Sequence, residues 1–438
     1  MVGERSATES DPGDRFSEEA ARAGLTLPRP HRANPWEVAA VCSVILLVSL
    51  GIGVSTGWLN LRANADPLPG LLGPQSCVAQ GGQKVDLPGS IAPNSEPQFA
   101  VSLGFLTDRF TSSDAGCVEI NFTSGTGTPG PQGVVAGPVD FSMLEAAPTP
   151  AELSALPSPA VLLPTGLTSV SVVYNLPGVA DSLRLNGSVL EGIFAGTIRS
   201  WDAPAVVQLN PSTNLPRGLP ISVVHRSDPT ALNGVFTTFL ADTVSSWSTE
   251  AGVGDQVPWP TGVGVNGSGN MAAFVATTPG ALGYMETGVS LPTNVSVARM
   301  ENAARNFTSP DIGAVVAAAA AWDAGANRSV VNWSGDPLLE APGLSSYPLV
   351  FPTYLLVYED LGKAFGGNLS LRVAQWEMTY LWWVVTDGGY VSASLGVAGL
   401  PEGMVSSVQQ GLEKIAFDGT SVLEGNEGSE GGETTGEF

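Results

Sequence analysis

The sequence predicts an α/β fold preceded by one membrane-spanning helix, and two observations carry this prediction. Short apolar runs that are typical of buried strands alternate with segments of helical spacing from residue 84 onward, which is the pattern of α/β proteins. Ahead of them, residues 38–61 form a continuous run without a charged side chain. At about 1.5 Å per residue, a helix of that length spans a bilayer core of roughly 30 Å.

The composition narrows the class of protein. Its 438 residues include 41 acidic side chains but only 18 lysines and arginines, which gives a formal net charge of −23. Surfaces that bind nucleic acid need basic clusters, so this balance argues against a nucleic-acid partner. No P-loop motif surrounds any lysine, and the two histidines, His31 and His225, lie on opposite sides of the predicted membrane helix. We therefore predict neither an ATPase nor a histidine metal site, and we expect no cofactor.

The residues around the apolar run predict its orientation. Three arginines lie between residues 22 and 32, whereas only Arg62 closely follows the run, and positive charge favours the cytoplasmic side. Residues 1–37 are thus predicted to be a disordered cytoplasmic segment, with the rest of the chain outside the cell membrane. A cleaved signal peptide is the alternative, because Ala63-Asn64-Ala65 fits a cleavage site, but the length of the apolar run favours an uncleaved anchor.

An extracytoplasmic location has two further consequences. A disulfide between Cys77 and Cys117 becomes possible, because the third cysteine, Cys42, lies within the apolar run. Two free buried thiols are the alternative. Eight Asn-x-Ser/Thr sequences follow the run and are compatible with a glycoprotein; they begin at Asn121, Asn186, Asn266, Asn294, Asn306, Asn327, Asn332 and Asn368.

The α/β prediction rests on several segments after residue 170. Strands are predicted at 170–174, 221–224 and 347–357, where β-branched and other apolar residues run together. Helices are predicted at 189–198, 312–322 and 373–385.

The stretch that predicts a function starts with the apolar strand at 221–224. This strand leads into a polar turn that contains Arg226 and Asp228, and an apolar segment of helical spacing follows. The first N–H groups of a helix are unpaired and partially positive, so a strand–turn–helix junction binds anions. Arg226 adds a planar cationic fork suited to an oxyanion, and Asp228 is placed to hold that fork. A plain structural ion pair between the two is the alternative.

Two other motifs match enzyme signatures only by letter. Gly262-x-Gly264-x-x-Gly267 resembles a dinucleotide fingerprint, but it follows Trp-Pro-Thr rather than a clear strand. His-Arg-Ser-Asp at 225–228 resembles part of a kinase catalytic loop whose other parts are missing. Enzymatic activity is therefore not predicted.

Six segments in consistent order and spacing carry a family resemblance: VSVVYNLPGV, VLEGIFAGTIRSWDAPAVVQLNP, LPISVVHRSDPTALNGVFTTFLADTVSSW, WPTGVGVNGSGNMAAFVATTPGALGYME, YPLVFPTYLLVYED and AGLPEGMVSSVQQGLEKI. Together they resemble the phosphate-binding protein of the ABC phosphate-uptake system, within the periplasmic binding protein superfamily. The resemblance covers roughly residues 84–422 and is most specific over 170–290. It implies a two-lobed fold of type II, with hinge strands near Val170–Tyr174 and Tyr347–Val357 and the ligand in the cleft.

This resemblance also implies a division of the chain. The expected segments are a disordered cytoplasmic segment (1–37), a transmembrane anchor (38–61), a linker (62–83), the first part of lobe 1 (84–170), lobe 2 (171–346), the return to lobe 1 (347–422) and an acidic disordered tail (423–438).

The resemblance assigns phosphate contacts in lobe 2. The family binds phosphate through an arginine, donors at helix starts and one carboxylate. Arg226 matches the family's arginine, and Asp228 matches its supporting aspartate. Thr230 and Ala231 match the next two donors, whereas Leu232 stands where the family has a hydroxyl residue.

Lobe 1 is expected to supply the remaining contacts. Thr126 and Ser124 lie in a stretch that resembles the family's anion loop, and Ser90 matches its first loop. Glu145 takes the place of the family's carboxylate, which accepts the proton of HPO₄²⁻. Sulfate carries no proton, so two acceptors would face each other, at a cost of several kcal/mol when buried.

The implied function is that of a membrane-anchored solute-binding protein. It would capture inorganic phosphate outside the cell and deliver it to an ABC permease with its own ATPase, because one transmembrane helix forms no pore. Two alternatives remain open: another protonated oxyanion as the ligand, or an exported module with a structural or interaction role.

Overall fold

The computed structural model of the protein describes residues 71–72, 84–92, 95, 97–113, 117–124, 140–179, 182–323, 332–333, 338–389, 393 and 396–424. All of them belong to one of the chain's two compact units, Leu68–Phe438. The predicted membrane helix at 38–61 lies outside these residues. Within them, no helix combines the length and the apolar character needed to cross a membrane.

The described residues form the following elements. The strands are β1 (Val85–Ile91), β2 (Val118–Ser124), β3 (Phe141–Leu144), β4 (Ala160–Tyr174), β5 (Arg184–Leu185), β6 (Ser222–Arg226), β7 (Val263–Val265), β8 (Ala281–Glu286), β9 (Ser296–Val297), β10 (Arg299–Glu301), β11 (Phe307–Thr308), β12 (Val350–Tyr358), β13 (Ala416–Phe417) and β14 (Thr420–Ser421). The α-helices are α1 (Pro97–Ser113), α2 (Pro150–Ser154), α3 (Gly187–Phe194), α4 (Pro204–Leu209), α5 (Ala231–Thr243), α6 (Trp247–Glu250), α7 (Ser268–Thr277), α8 (Ile312–Asp323), α9 (Leu361–Phe365), α10 (Leu371–Trp383) and α11 (Glu402–Leu412).

Nine strands form one sheet in the order β2-β1-β3-β12-β4-β8-β6-β7, with β9 beside β4. On one side of β4, strand β1 runs parallel to β2 and β3. On the other side, β6 runs parallel to β7 and β8. Each parallel group is accompanied by helices, so the molecule has two α/β halves, and the predicted α/β architecture is confirmed.

Strand β4 belongs to both halves. Up to Ser169 it pairs with β12, and from Val170 onward it pairs with β8. Every residue of β4 after Ala160 is buried, as in strands covered on both faces. The strand predicted at 170–174 is therefore only the last part of a longer one. The second predicted hinge strand begins later than predicted, at Val350, although the Tyr347 hydroxyl donates a hydrogen bond to the Val170 carbonyl at 2.7 Å.

Two predicted helices have different ends in the structure. Helix α3 begins after Asn186, whose side chain accepts a hydrogen bond from the Val189 N–H, and it ends at Phe194 rather than at residue 198. The early end has a local cause, because Gly196 has a φ of 76°, a left-handed conformation that stops helices. Helix α10 ends at Trp383 and continues as one π-helical turn, Val384–Gly388.

An aromatic cluster packs behind β6 and fixes helix α5 on the sheet. Phe236 of α5 stacks on Tyr284 of β8 with ring centroids 4.1 Å apart, and Phe194 meets Phe236 edge-on at 5.0 Å. His225 of β6 stacks on Trp259 at 5.1 Å, and burial lowers the pKa of His225. The turn between β6 and α5 is thus supported by neutral, closely packed rings.

Two carboxyl groups are buried in the half of the molecule that contains β1, β2 and β3. Glu377 of α10 is fully buried, and neither of its carboxyl oxygens has a hydrogen-bond partner among the described residues. Burial raises the pKa of Glu377 well above its usual value, and the charge of Asp140 raises it further. Burial, with a smaller effect of Asp86, also raises the pKa of Asp140 to about 7. Ionisation of either group therefore lowers the stability of the folded state.

Replacing Glu377 by glutamine is expected to stabilise the protein above neutral pH but not in acid. A carboxyl whose pKa is raised on folding stabilises fully below its unfolded pKa, and this stability is lost as the pH rises through the folded value. The melting temperature of Glu377→Gln should exceed that of the parent at pH 8 by a few degrees, because 1 kcal/mol shifts it by roughly 2–4 °C, and should match it near pH 4. Glu413→Gln, at an exposed site, is the control. An equal difference at both pH values would contradict this expectation.

Candidate functional site

A buried arginine lies where β6 ends. The side chain of Arg226 is 2 % exposed. Its Nε donates to Oδ1 of Asp228 at 2.8 Å, and its Nη2 donates to Oδ2 of the same carboxylate. The guanidinium is therefore held in one orientation by a bidentate ion pair.

Helix α7 provides a second support for this pair. Nη1 of Arg226 donates to the Ser268 hydroxyl at 3.0 Å, and the Gly267 N–H donates to Oδ1 of Asp228 at 3.3 Å. Neither contact was predicted, although the Gly262-x-Gly264-x-x-Gly267 stretch was noted as a possible dinucleotide fingerprint. In the structure two of its glycines leave room for the ring of His225, which precedes Arg226. A Cβ on Gly262 or Gly264 would lie within 3.2 Å of that ring. Ser268 directly follows the third glycine and begins a helix, which is the signal that marks it.

The charge of Asp228 is maintained despite its partial burial. Burial alone would raise the pKa of this carboxyl, but the hydrogen bonds and charge of Arg226, with the Gly267 N–H, hold it below its usual value. Asp228 therefore stays ionised at neutral pH and balances the buried guanidinium.

Helix α5 begins directly after this turn. Thr230 is its N-cap, and the Thr230 hydroxyl oxygen accepts the Leu232 N–H at 3.3 Å. Ala231 is the first helical residue, so its N–H lies at the partially positive end of the helix. The turn thus presents a guanidinium and helix-start donors in one place.

Asn233 and Tyr284 brace the same turn, and neither was predicted. The Asn233 amide donates to the carbonyls of Asp228 and Asp255, at 3.1 and 2.8 Å. The Tyr284 hydroxyl donates to Oδ1 of Asn233 at 2.5 Å and accepts the Arg226 N–H at 3.3 Å. Since these side chains are buried, the position of Arg226 is set by the core.

The part of the sheet that contains β1, β2 and β3 contributes a second group of polar side chains. Ser90 of β1 and Ser142 of β3 are register partners, and their hydroxyl oxygens are 2.6 Å apart. Both are buried, as is Glu145, which directly follows β3 and is 3 % exposed. Ser124 is the last residue of β2, and Thr126 lies outside the described residues.

The structure thus brings the predicted residues into two groups. Arg226, Asp228, Thr230 and Ala231 surround the carboxyl end of β6, while Ser90 and Glu145 lie at the carboxyl ends of β1 and β3. Open α/β sheets bind ligands outside the carboxyl ends of their strands. Each group sits at such an edge, and a guanidinium, hydroxyls and helix N–H groups are donors suited to an oxyanion.

The predicted disulfide is only partly within the described residues. Cys117, directly before β2, is disulfide-bonded, whereas Cys77 lies outside them. Its pairing with Cys77 stays a prediction.

Removing the Ser268 hydroxyl is expected to weaken anion binding roughly tenfold or more, because a hydrogen bond to a charged group contributes about 1.5–3 kcal/mol. The matched control is Thr277→Ala at the exposed far end of the same helix, where the hydroxyl donates to the Ala273 and Phe274 carbonyls of its own helix. Calorimetric titration with inorganic phosphate measures the affinity of both variants. Equal affinity of Ser268→Ala and the parent would show that Ser268 does not support the guanidinium.

A family model described as a PBP superfamily domain matches residues 95–387. The phosphate-binding protein PstS of Methanocaldococcus jannaschii is 35 % identical over 245 residues, which are 53 % of this chain and 62 % of that protein. This chain thus spans less than two thirds of that relative. The phosphate-binding protein PstS of Pasteurella multocida is 30 % identical over 294 residues, or 66 % of this chain and 81 % of that protein.

A solved structure supports the fold. The high affinity periplasmic phosphate-binding protein PfluDING, solved with bound phosphate, superimposes with a TM-score of 0.51 at 21 % identity, covering 74 % of this chain and 93 % of that one. At this identity the likeness concerns the fold alone. The predicted periplasmic binding protein-like fold is thereby confirmed.

Proposed function

Since the chain belongs to the PBP superfamily and its relatives include PstS proteins, we propose that it captures inorganic phosphate and delivers it to an ABC permease. The observation that carries this proposal is the buried fork of Arg226, fixed by Asp228 and Ser268 beside a helix start. Such preorganised donors bind an anion without rearranging at the moment of binding.

Selectivity for phosphate is proposed to come from Glu145. Phosphate at neutral pH carries a proton that a carboxylate accepts, whereas sulfate does not. A buried carboxylate that faces sulfate would leave two acceptors opposed, which costs several kcal/mol. Ser90 and Ser142, as hydroxyls of the same edge, are the proposed neutral donors from this half.

Release and delivery are proposed to use a hinge within β4. The strand changes partner between Ser169 and Val170, so the two halves of the sheet meet at this point. A ligand that contacts both halves binds the closed form better, and this difference in affinity shifts the population towards closure. The permease and its ATPase would then recognise the closed form.

The remaining proposals concern location. Residues 38–61 are proposed to anchor the protein in the cell membrane as a single helix, with residues 1–37 in the cytoplasm and the binding domain outside. The net charge of −23 does not prevent anion binding, because exposed carboxylates beyond about 10 Å are screened by salt, whereas the donors around Arg226 act at contact.

Equilibrium dialysis of the full-length chain in detergent, with radiolabelled phosphate and sulfate as the competitor, tests the proposed function. We expect saturable binding of one phosphate per chain that a large excess of sulfate does not displace. Absence of saturable binding would overturn the proposal.

A further inference from the structure

A polar cavity is lined by residues that do not belong to the Arg226 turn. It has a volume of about 760 Å³ and is formed by β5, β10, β11, the start of α8 and the loop at 344–345. Three arginines line it: Arg184, Arg299 and Arg305. In a chain with a net charge of −23, this local concentration of positive charge requires an explanation.

Two of these arginines are opposed on neighbouring strands. Arg184 of β5 and Arg299 of β10 are register partners in a parallel pair, so their side chains emerge from the same face, and strands lie about 4.8 Å apart. Like charges directly opposite each other destabilise a sheet. Such a local conflict is expected where a ligand compensates it.

Acidic neighbours compensate part of this charge, since Glu301 and Glu340 both interact with Arg305. Arg184 lies over the Phe307 ring at 5.4 Å, and Arg299 donates to the Phe307 carbonyl at 2.5 Å. Arg305 is largely exposed and meets Glu301 at 3.4 Å. Asp311 is the acidic residue that lines the cavity, and its Oδ1 accepts the Ala314 N–H at the start of α8. The lining therefore has more cationic than anionic groups.

The wall that carries Arg305 is held firmly in place. Asn302 is buried, its Oδ1 accepts the N–H groups of Ala304 and Asn306, both at 3.0 Å, and its amide donates to the Ser346 carbonyl at 2.9 Å. The same amide also donates to the carbonyls of Gly343 and Leu344. The cavity is thus a preformed feature of the fold.

We propose that this cavity binds a short chain of consecutive phosphoryl groups, such as linear tripolyphosphate. Guanidinium forks match phosphate oxygens bidentately, and the cavity is much larger than one phosphate ion needs. Arg184 covers a face of Phe307, which disfavours a stacked aromatic base. Carboxylates on one face of an extended peptide are about 6.6 Å apart, wider than the roughly 4.8 Å between the neighbouring strands that carry Arg184 and Arg299, so closely spaced phosphoryl groups match this pair of strands better. This site goes beyond the proposed function and does not depend on it.

Calorimetric titration of the full-length chain in detergent with sodium tripolyphosphate tests this proposal. The buffer contains saturating orthophosphate, to occupy the cleft, and no divalent cation. We expect one tripolyphosphate per chain, bound at least tenfold more weakly by Arg184→Ala and by Arg305→Ala, with an intermediate affinity for Arg184→Lys. The matched control is Arg217→Ala, an exposed arginine elsewhere on the same lobe, which should bind like the parent.

Three results would overturn the proposal: no binding of tripolyphosphate, equal affinity of Arg184→Ala and the parent, or binding of a hexaglutamate peptide in its place. Melting temperatures verify that the variants are folded, since Arg184→Ala removes the contact of an exposed arginine with the Phe307 ring. Binding of tripolyphosphate that depends on Arg184 in a chain that fails to bind orthophosphate would support the cavity and reject the proposed function.

Discussion

Alanine in place of Arg226 is expected to abolish phosphate binding, with an affinity loss of about a thousandfold or more. Truncating one member of a buried, hydrogen-bonded charge pair costs about 2–5 kcal/mol or more. Here the loss is at the upper end, because Asp228 would keep its negative charge and face the incoming anion without the guanidinium. Calorimetric titration with phosphate measures this effect.

Two further variants separate binding from folding at this position. Arg226→Lys keeps the charge but loses the planar fork that Asp228 and Ser268 hold, so we expect weak residual binding. Arg217→Ala, an exposed arginine nine positions before Arg226, should bind phosphate normally. A folded Arg226→Ala protein that binds phosphate with unchanged affinity would show that the guanidinium does not bind the anion.

Replacing Glu145 by glutamine is expected to relax the discrimination against sulfate by one to two orders of magnitude. The amide can donate to an unprotonated oxygen where the carboxylate could only accept, so the opposition between two acceptors disappears. Relieving the opposition of two buried acceptors recovers about 1–3 kcal/mol. Competition between labelled phosphate and sulfate gives the ratio of the two affinities.

The control for this variant is Glu359→Gln, which changes an exposed carboxylate after β12. Its phosphate-to-sulfate ratio should equal that of the parent. If Glu145→Gln also keeps the parent ratio, Glu145 is not the proton acceptor, and the selectivity must come from another residue.

The sequence was most informative where the chemistry is local. The end of β6, the charged turn and the start of α5 are consecutive, so strand, cation and helix start could all be predicted from residues 221–240. The Arg226–Asp228 pair spans two positions and was predicted for the same reason. Ser142, Ser268 and Tyr284 were missed, because strand register and helix packing bring them to their partners from 42 to 58 positions away in the chain. Asn233 was missed although it lies within residues 221–240, because its contacts with Asp255 and Tyr284 also depend on the fold.

The length of β4 shows a different limit. Pro164 and Gly166 interrupt its apolar run, and proline is normally excluded from central strands because it donates no hydrogen bond. In the structure the pairing with β12 shifts register between Thr353 and Tyr354, opposite Pro164 and Gly166. This bulge accommodates the missing N–H, so a segment that is typical of a strand break is part of the longest strand.

The order of strands in the large sheet has a consequence for biosynthesis. β12 lies between β3 and β4 but is translated long after both. At about 5–20 residues per second, the ribosome needs on the order of 10 s or more to reach β12 after finishing β4. During that interval β3 and β4 each present an unpaired edge, which other chains can extend into aggregates. The half of the protein that is begun first is therefore completed last, and the growing chain depends on protection until residue 358 has emerged.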